Sequence, residues 1–128
     1  MSAPPGRGVE LLDAAVELLG RAGRRGTVRV QGQSMTPTLA SGQTLGVEFA
    51  PEALRRGDLL LFRQQDYLVV HRLLGPASFP DGRRCWRTRG DGMLALDPPV
   101  DPARVVGRVV AVQLGEEWRS LEGRWARG

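Results

Sequence analysis

The chain of 128 residues has the length of one ordinary domain, is 41% hydrophobic and 25% charged, and carries a net charge of +4. This composition is that of a globular protein, and its apolar runs are far shorter than the roughly 20 residues of a membrane-spanning helix. All 18 basic residues are arginine, which excludes chemistry that depends on a lysine side chain. The arginines are scattered among acidic residues, so no nucleic-acid partner is expected.

The lone cysteine, Cys85, cannot form an internal disulfide and has no neighbouring His or Cys in the sequence for a metal site. No metal or cofactor is expected. Asp13 and Glu17 interrupt the first apolar residues before the core of a signal peptide could form, which favours a cytoplasmic protein. We expect a single domain over residues 1–128. Peripheral contact with a membrane surface stays open, and no pattern indicates the oligomeric state.

The first element expected is an amphipathic helix over residues 9–22, because apolar residues recur there at helical spacing. The 17 glycines and 9 prolines favour many turns, and short β-like runs follow the helix. These runs are Thr27–Gln31, Leu45–Glu48, Leu59–Phe62, Tyr67–Leu74, Cys85–Thr88 and Val105–Leu114. The prediction is a mostly β, antiparallel core over residues 27–114.

Two further local structures are expected. The polar residues 63–66 separate the apolar runs LLLF and YLVVHRLL, which predicts a hairpin. In the tail over residues 115–128, Trp118, Leu121 and Trp125 are spaced by three and four residues. That spacing predicts a short helix that packs one face against the core.

The segment GQSMTPTL, from Gly32 to Leu39, contains the first residue with a chemical role. A strand precedes it, and Pro37 disfavours helix at the residue before it, so Ser34 is expected on a turn. A serine there can present its hydroxyl to a substrate carbonyl while its own N–H contributes to an oxyanion hole. Gly32 would let a substrate backbone approach, with Met35 and Pro37 as supporting residues of the same segment. The alternative is a serine that only stabilises its turn.

Four more segments accompany this one in order: RRGDLLLF at 55–62, VVHRLL at 69–74, TRGDGMLALDPPV at 88–100 and VVGRVVAV at 105–112. Together the five resemble the signal peptidase I and LexA-type serine peptidase superfamily over residues 27–114. The resemblance implies a compact, partly open barrel-like β fold and a serine nucleophile at Ser34. It also implies small substrate residues before the scissile bond.

His71 lies in VVHRLL, where most bacterial members of that superfamily carry a lysine and its archaeal, eukaryotic and sporulation-type signal peptidases carry a histidine. It is the one histidine of the chain. A neutral imidazole is suited to accept a serine proton near pH 7. The sequence therefore resembles the histidine-using branch, with His71 as general base. By strand alternation His71 shares a face with Val69 and Leu73, so a hydrogen-bonded core histidine is the alternative.

A carboxylate that orients the imidazole would complete the site, and Asp91 and Asp97 are the candidates. The resemblance implies that Asp97 is the third catalytic residue and that Asp91 supports the loop. Each could instead serve a turn, Asp91 before Gly92 and Asp97 before Pro98. The sequence leaves the assignment of the pair open.

These observations predict a serine endopeptidase that cleaves a leader or signal-like peptide, bound in extended form, through an acyl-enzyme. Two alternatives remain. One is a LexA-like self-cleaving regulator, for which Ala22-Gly23 resembles a scissile pair of small residues. The other is an inactive peptide-binding module of the same fold.

Overall fold

Eight β-strands make up most of the computed structural model, which describes the backbone of residues 8–11 and the whole of residues 25–121. The strands are β1 Gly8–Leu11, β2 Arg25–Gln31, β3 Thr44–Phe49, β4 Leu59–Gln64, β5 Tyr67–Ser78, β6 Arg84–Arg89, β7 Val105–Leu114 and β8 Glu117–Ser120. A 3-10 turn over Pro102–Arg104 leads into β7, and Asp101 caps it. All six predicted strands are present, and β7 has the predicted bounds.

The strands form one antiparallel sheet in the order β1-β2-β3-β7-β4-β5-β6, with β8 paired to β7. β1, at one end of this order, also lies close to β5, near the other end. The sheet therefore curls back on itself. This arrangement confirms the predicted mostly β, antiparallel, partly open barrel-like core.

Burial on both faces of β4 explains its unbroken apolar run. Leu59 and Leu61 pack into the larger apolar cluster, while Leu60 and Phe62 belong to the smaller one. Successive side chains of a strand point to opposite faces, so a strand covered on both sides must be apolar throughout. β4 pairs with β5 through a two-residue turn in which Gln65 has a φ of 56°. The hairpin predicted around residues 63–66 is confirmed.

The predicted first helix is wrong where it can be compared with the structure. Its first residues, 9–11, belong to β1, which pairs antiparallel with β2 from Gly8 opposite Gln31 to Leu11 opposite Val28. An unpaired edge of β2 offers backbone hydrogen bonds that outweigh a weak local helical pattern. Residues 12–22 of that helix lie outside the described residues.

The predicted C-terminal helix is also wrong over residues 117–120, which form β8. Gly115 adopts a φ of 64° and lets the chain reverse tightly, so β8 pairs back onto β7. Leu121 is buried in the larger cluster, as the core-packing interpretation requires, but Trp118 remains 48% exposed. Trp125 lies outside the described residues. In the part of the chain that the structure describes, no helix is long and apolar enough to cross a membrane.

Candidate active site

The turn over residues 34–38 follows shortly after β2 and carries Ser34, the expected nucleophile. We call it the nucleophile turn. Gly32 has a φ of 86°, which takes the chain out of the strand, and residues 34–38 form turns. The side chain of Met35 is buried in the larger apolar cluster, and its carbonyl accepts the Leu39 N–H at 2.9 Å. This anchoring holds Ser34 partly exposed at the end of the strand. The expectation that Ser34 lies on a turn is confirmed.

His71 lies in the middle of β5, with a side chain that is 6% exposed. It faces the smaller apolar cluster, together with Val69 and Leu73. Its ring packs edge-on against the Phe62 ring, with 6.1 Å between the ring centroids. Its Nε2 lies 3.0 Å from Ser34 Oγ, and its Nδ1 lies 2.7 Å from Asp97 Oδ2. The packed β5 strand therefore fixes the imidazole between a hydroxyl and a carboxylate.

Asp97 is held by two contacts with Thr88 of β6. Thr88 Oγ1 donates to Asp97 Oδ2 at 2.7 Å, and the Asp97 N–H donates to the Thr88 carbonyl at 3.0 Å. A carboxylate oxygen accepts hydrogen bonds, so its contact with Nδ1 selects the imidazole tautomer with the proton there. The lone pair on Nε2 then faces Ser34.

Asp91 has different partners. Arg72 Nε and Nη2 donate to its two carboxylate oxygens at 2.8 and 2.7 Å, and Thr38 Oγ1 also donates to Oδ2. Burial by itself would raise the pKa of Asp91, but these hydrogen bonds and the charges of Arg72 and Arg89 outweigh it and lower the pKa below its ordinary value. The Asp91 N–H points to Met35 Sδ at 3.2 Å. Asp91 thus ties its loop to the nucleophile turn.

Two glycines of the same loop pack directly against the nucleophile turn. A Cβ on Gly90 would stand 2.5 Å from the Ser34 carbonyl oxygen and 3.0 Å from His71 Nε2. A Cβ on Gly92 would stand 2.7 Å from the Thr36 carbonyl oxygen, and the Gly92 N–H donates to the Ser34 carbonyl at 2.9 Å. Glycine is needed at both positions because the two backbones touch.

The structure brings Ser34, His71 and Asp97 into one hydrogen-bonded chain and places Asp91 beside that chain. The Gly32 N–H donates to Ser41 Oγ at 3.2 Å. Met35 is buried, whereas Pro37 is exposed and follows a cis peptide bond.

Sequence reasoning missed three residues that hold the two aspartates: Thr38, Arg72 and Thr88. Arg72 follows His71 directly and also donates to the Gly57 carbonyl at 2.9 Å. Thr88 is completely buried, and a threonine at the inward position of an otherwise arginine-rich strand is a signal that could have identified it. No comparable sequence signal marks Thr38, which is exposed.

A hydroxyl, an imidazole and a carboxylate in this order can act as nucleophile, base and orienting acid. Within the described part of the chain, no acceptor is found for the Ser34 N–H, so it can bind a developing oxyanion. No group of three or more His, Cys, Asp or Glu side chains among these residues is arranged to hold a metal ion. Cys85 is buried.

Comparison with known proteins identifies a family. Neither the curated proteins nor the solved structures include a match to this chain. A family model described as Peptidase S24-like matches residues 9–78, which is more than half of the chain. The matched range includes Ser34 and His71, whereas Asp91 and Asp97 lie beyond it. The chain belongs to the Peptidase S24-like family.

Proposed function

We propose that this protein is a serine endopeptidase in which Ser34 is the nucleophile, His71 the general base and Asp97 the residue that orients the imidazole. The observation that carries the proposal is the continuous contact from Ser34 Oγ to His71 Nε2 at 3.0 Å and from His71 Nδ1 to Asp97 at 2.7 Å. Membership of the Peptidase S24-like family supports a serine peptidase in general terms.

In the proposed acylation step, Ser34 Oγ attacks the scissile carbonyl carbon while His71 Nε2 takes the hydroxyl proton. The negative charge that develops on the carbonyl oxygen is stabilised by the Ser34 N–H. His71 then gives its proton to the leaving amine as the peptide C–N bond breaks, which leaves an ester on Ser34. Water, deprotonated by His71, hydrolyses that ester and restores the Ser34 hydroxyl.

The choice of histidine as base is supported by the sequence, which contains no lysine to take that role. We therefore propose that the chain is related to the histidine-using signal peptidases. The proposed substrate is a leader or signal-like peptide segment bound in extended form beside the turn that follows β2, and the proposed setting is the cytoplasm.

The direct experiment is labelling of the purified protein with a fluorophosphonate probe, followed by intact mass measurement. We expect one adduct at Ser34, none in Ser34→Ala, and strongly slowed labelling in His71→Ala because the hydroxyl then loses its base. Absence of labelling in a folded wild-type protein would instead support the inactive peptide-binding module.

Self-cleavage is the second candidate function, and membership of the Peptidase S24-like family supports it in general terms. β2 ends at Gln31, three residues before the nucleophile, and its partner in that register is Gly8. Residues 8–11 therefore lie beside the strand that leads to Ser34. Ala22-Gly23, the predicted scissile pair, lies outside the described residues. Prolonged incubation followed by intact mass measurement tests this function, because cleavage at that pair removes the first 22 residues.

A further inference from the structure

The loop between Asp91 and Asp97 carries an exposed apolar surface beside the proposed catalytic residues. Met93 is 39% exposed, Leu94 fully exposed and Leu96 52% exposed. Residues 92–96 read Gly-Met-Leu-Ala-Leu and contain no charged side chain and no side chain that forms hydrogen bonds of ordinary strength. A run of consecutive exposed apolar residues lowers the solubility of a protein, so its presence indicates a surface that contacts another molecule.

The loop is held in place although its side chains are exposed. The Gly92 N–H donates to the Ser34 carbonyl, and the Met93 N–H donates to the Gly90 carbonyl, both at 2.9 Å. At the other end the Asp97 N–H donates to Thr88. The apolar side chains therefore project from a backbone that is already ordered, which lowers the entropic cost of binding.

Met93 and the imidazole nitrogen that faces Ser34 both lie close to Gly90. The position that a Cβ on Gly90 would occupy is 2.9 Å from Met93 Cγ and 3.0 Å from His71 Nε2. In an acyl-transfer mechanism this nitrogen donates its proton to the leaving amine, which must come within hydrogen-bond distance of it. The substrate residue that contributes this amine is thus the one closest to Met93.

We propose that Met93, Leu94 and Leu96 together determine substrate specificity by binding an aliphatic side chain on the residue just after the scissile bond. This inference rests on the proposed function. A charged side chain would find no partner in the loop and would lose water there. When an aliphatic side chain binds there, its own apolar surface and that of the loop are removed from water.

Partition of the acyl-enzyme between water and added amines measures this preference directly. p-Nitrophenyl acetate acylates Ser34 and releases p-nitrophenolate. The amine of leucinamide or glycinamide then attacks the ester carbonyl, His71 takes the amine proton and passes it to Ser34 Oγ, and N-acetyl amino-acid amide leaves. By microscopic reversibility, the added amine occupies the place of the leaving residue.

For the wild-type protein we expect leucinamide to be preferred over glycinamide by about tenfold, which corresponds to partial burial of one aliphatic side chain. Met93→Ser and Leu94→Ser should each reduce this preference to about threefold or less, and Met93→Leu should retain it. Leu114→Ser is the matched control, because Leu114 of β7 is a similarly exposed apolar residue, at 40%. Its preference should equal that of the wild type.

Failure of the proposed function and failure of this inference give different results in the experiment. An absent burst of p-nitrophenolate means that no acyl-enzyme forms, which overturns the proposed function and this inference with it. A burst without leucinamide preference, or a preference unchanged in both Met93→Ser and Leu94→Ser, overturns the inference alone. If Leu94→Ser instead loses co-sedimentation with phosphatidylglycerol vesicles while its preference is unchanged, the loop contacts membranes and the inference is wrong.

Discussion

Asp91 and Asp97 stand at the two ends of one loop and bind different side chains. Asp91 accepts hydrogen bonds from Arg72 of β5 and from Thr38 of the nucleophile turn, whereas Asp97 accepts from Thr88 and faces Nδ1 of His71. The same functional group is thus used at one end to attach the loop to the nucleophile turn and at the other to orient the imidazole. Variants of the two aspartates should therefore separate stability from turnover.

Ser34→Ala should abolish hydrolysis of p-nitrophenyl acetate beyond the background rate and change the free energy of unfolding by under about 0.5 kcal/mol. The reason is that the side chain is partly exposed and that, among the described residues, its hydroxyl contacts only the imidazole. Ser78→Ala, on the exposed end of β5, is the control and should retain full activity. Equal activity of the two variants would remove Ser34 from the mechanism.

Asp97→Asn should lower turnover by up to about 10⁴-fold, because an amide no longer selects the imidazole tautomer that accepts the serine proton. The melting temperature should change little, since the shape is preserved. Asp101→Asn provides a matched control, because Asp101 caps the 3-10 turn and asparagine caps equally well. A fully active Asp97→Asn would leave His71 to act without a third residue.

Asp91→Asn should lower the free energy of unfolding by about 2 kcal/mol, because two charge-assisted hydrogen bonds from the partly buried Arg72 are weakened. The turnover of the folded fraction should fall much less than in Asp97→Asn. Urea unfolding and turnover measured on the same preparation test this. An inactive Asp91→Asn of wild-type stability would show that the roles of the two aspartates are reversed.

The lowered pKa of Asp91 predicts how the contribution of its carboxylate to the free energy of unfolding depends on pH. Between the lowered value and the unfolded value of about 3.9, the unfolded chain binds more protons than the folded protein, so stability falls as the pH falls. The stabilisation by Asp91 is complete above that range and is lost below it. The difference in unfolding free energy between the wild type and Asp91→Asn should therefore shrink from pH 6 to pH 3. A difference that stays constant would contradict the assignment.

Gly90→Ala should reduce turnover by about 100-fold or more, because the added Cβ would overlap the Ser34 carbonyl oxygen and must displace the nucleophile turn or His71. A destabilisation of about 1–3 kcal/mol is expected from the same overlap. Gly46→Ala in β3 is the control, since its Cβ would meet Ala111 at an ordinary 3.4 Å. Wild-type turnover in Gly90→Ala would show that the loop yields without moving the catalytic pair.

Sequence alone predicted strands β2 to β7 and selected Ser34 and His71, whose side chains the structure brings within 3.0 Å of each other. Alternating and continuous apolar runs determine which segments form strands, as the predicted bounds of β7 show. The motif around Ser34 and the presence of one histidine predicted a nucleophile and a base, and these roles stay predictions. The apolar patterns and the motif are local properties, because each depends on residues that are close together in the sequence.

The tertiary structure decided what depends on contacts between distant residues. Pairing with β2 and β7 made strands of residues 8–11 and 117–120, where the local pattern favoured helix. Likewise, which aspartate faces His71 depends on how the loop after β6 returns along Thr88, a contact that spacing in the sequence does not encode. The free energy of these long-range contacts comes from hydrogen bonds and burial that exist only once the sheet has formed.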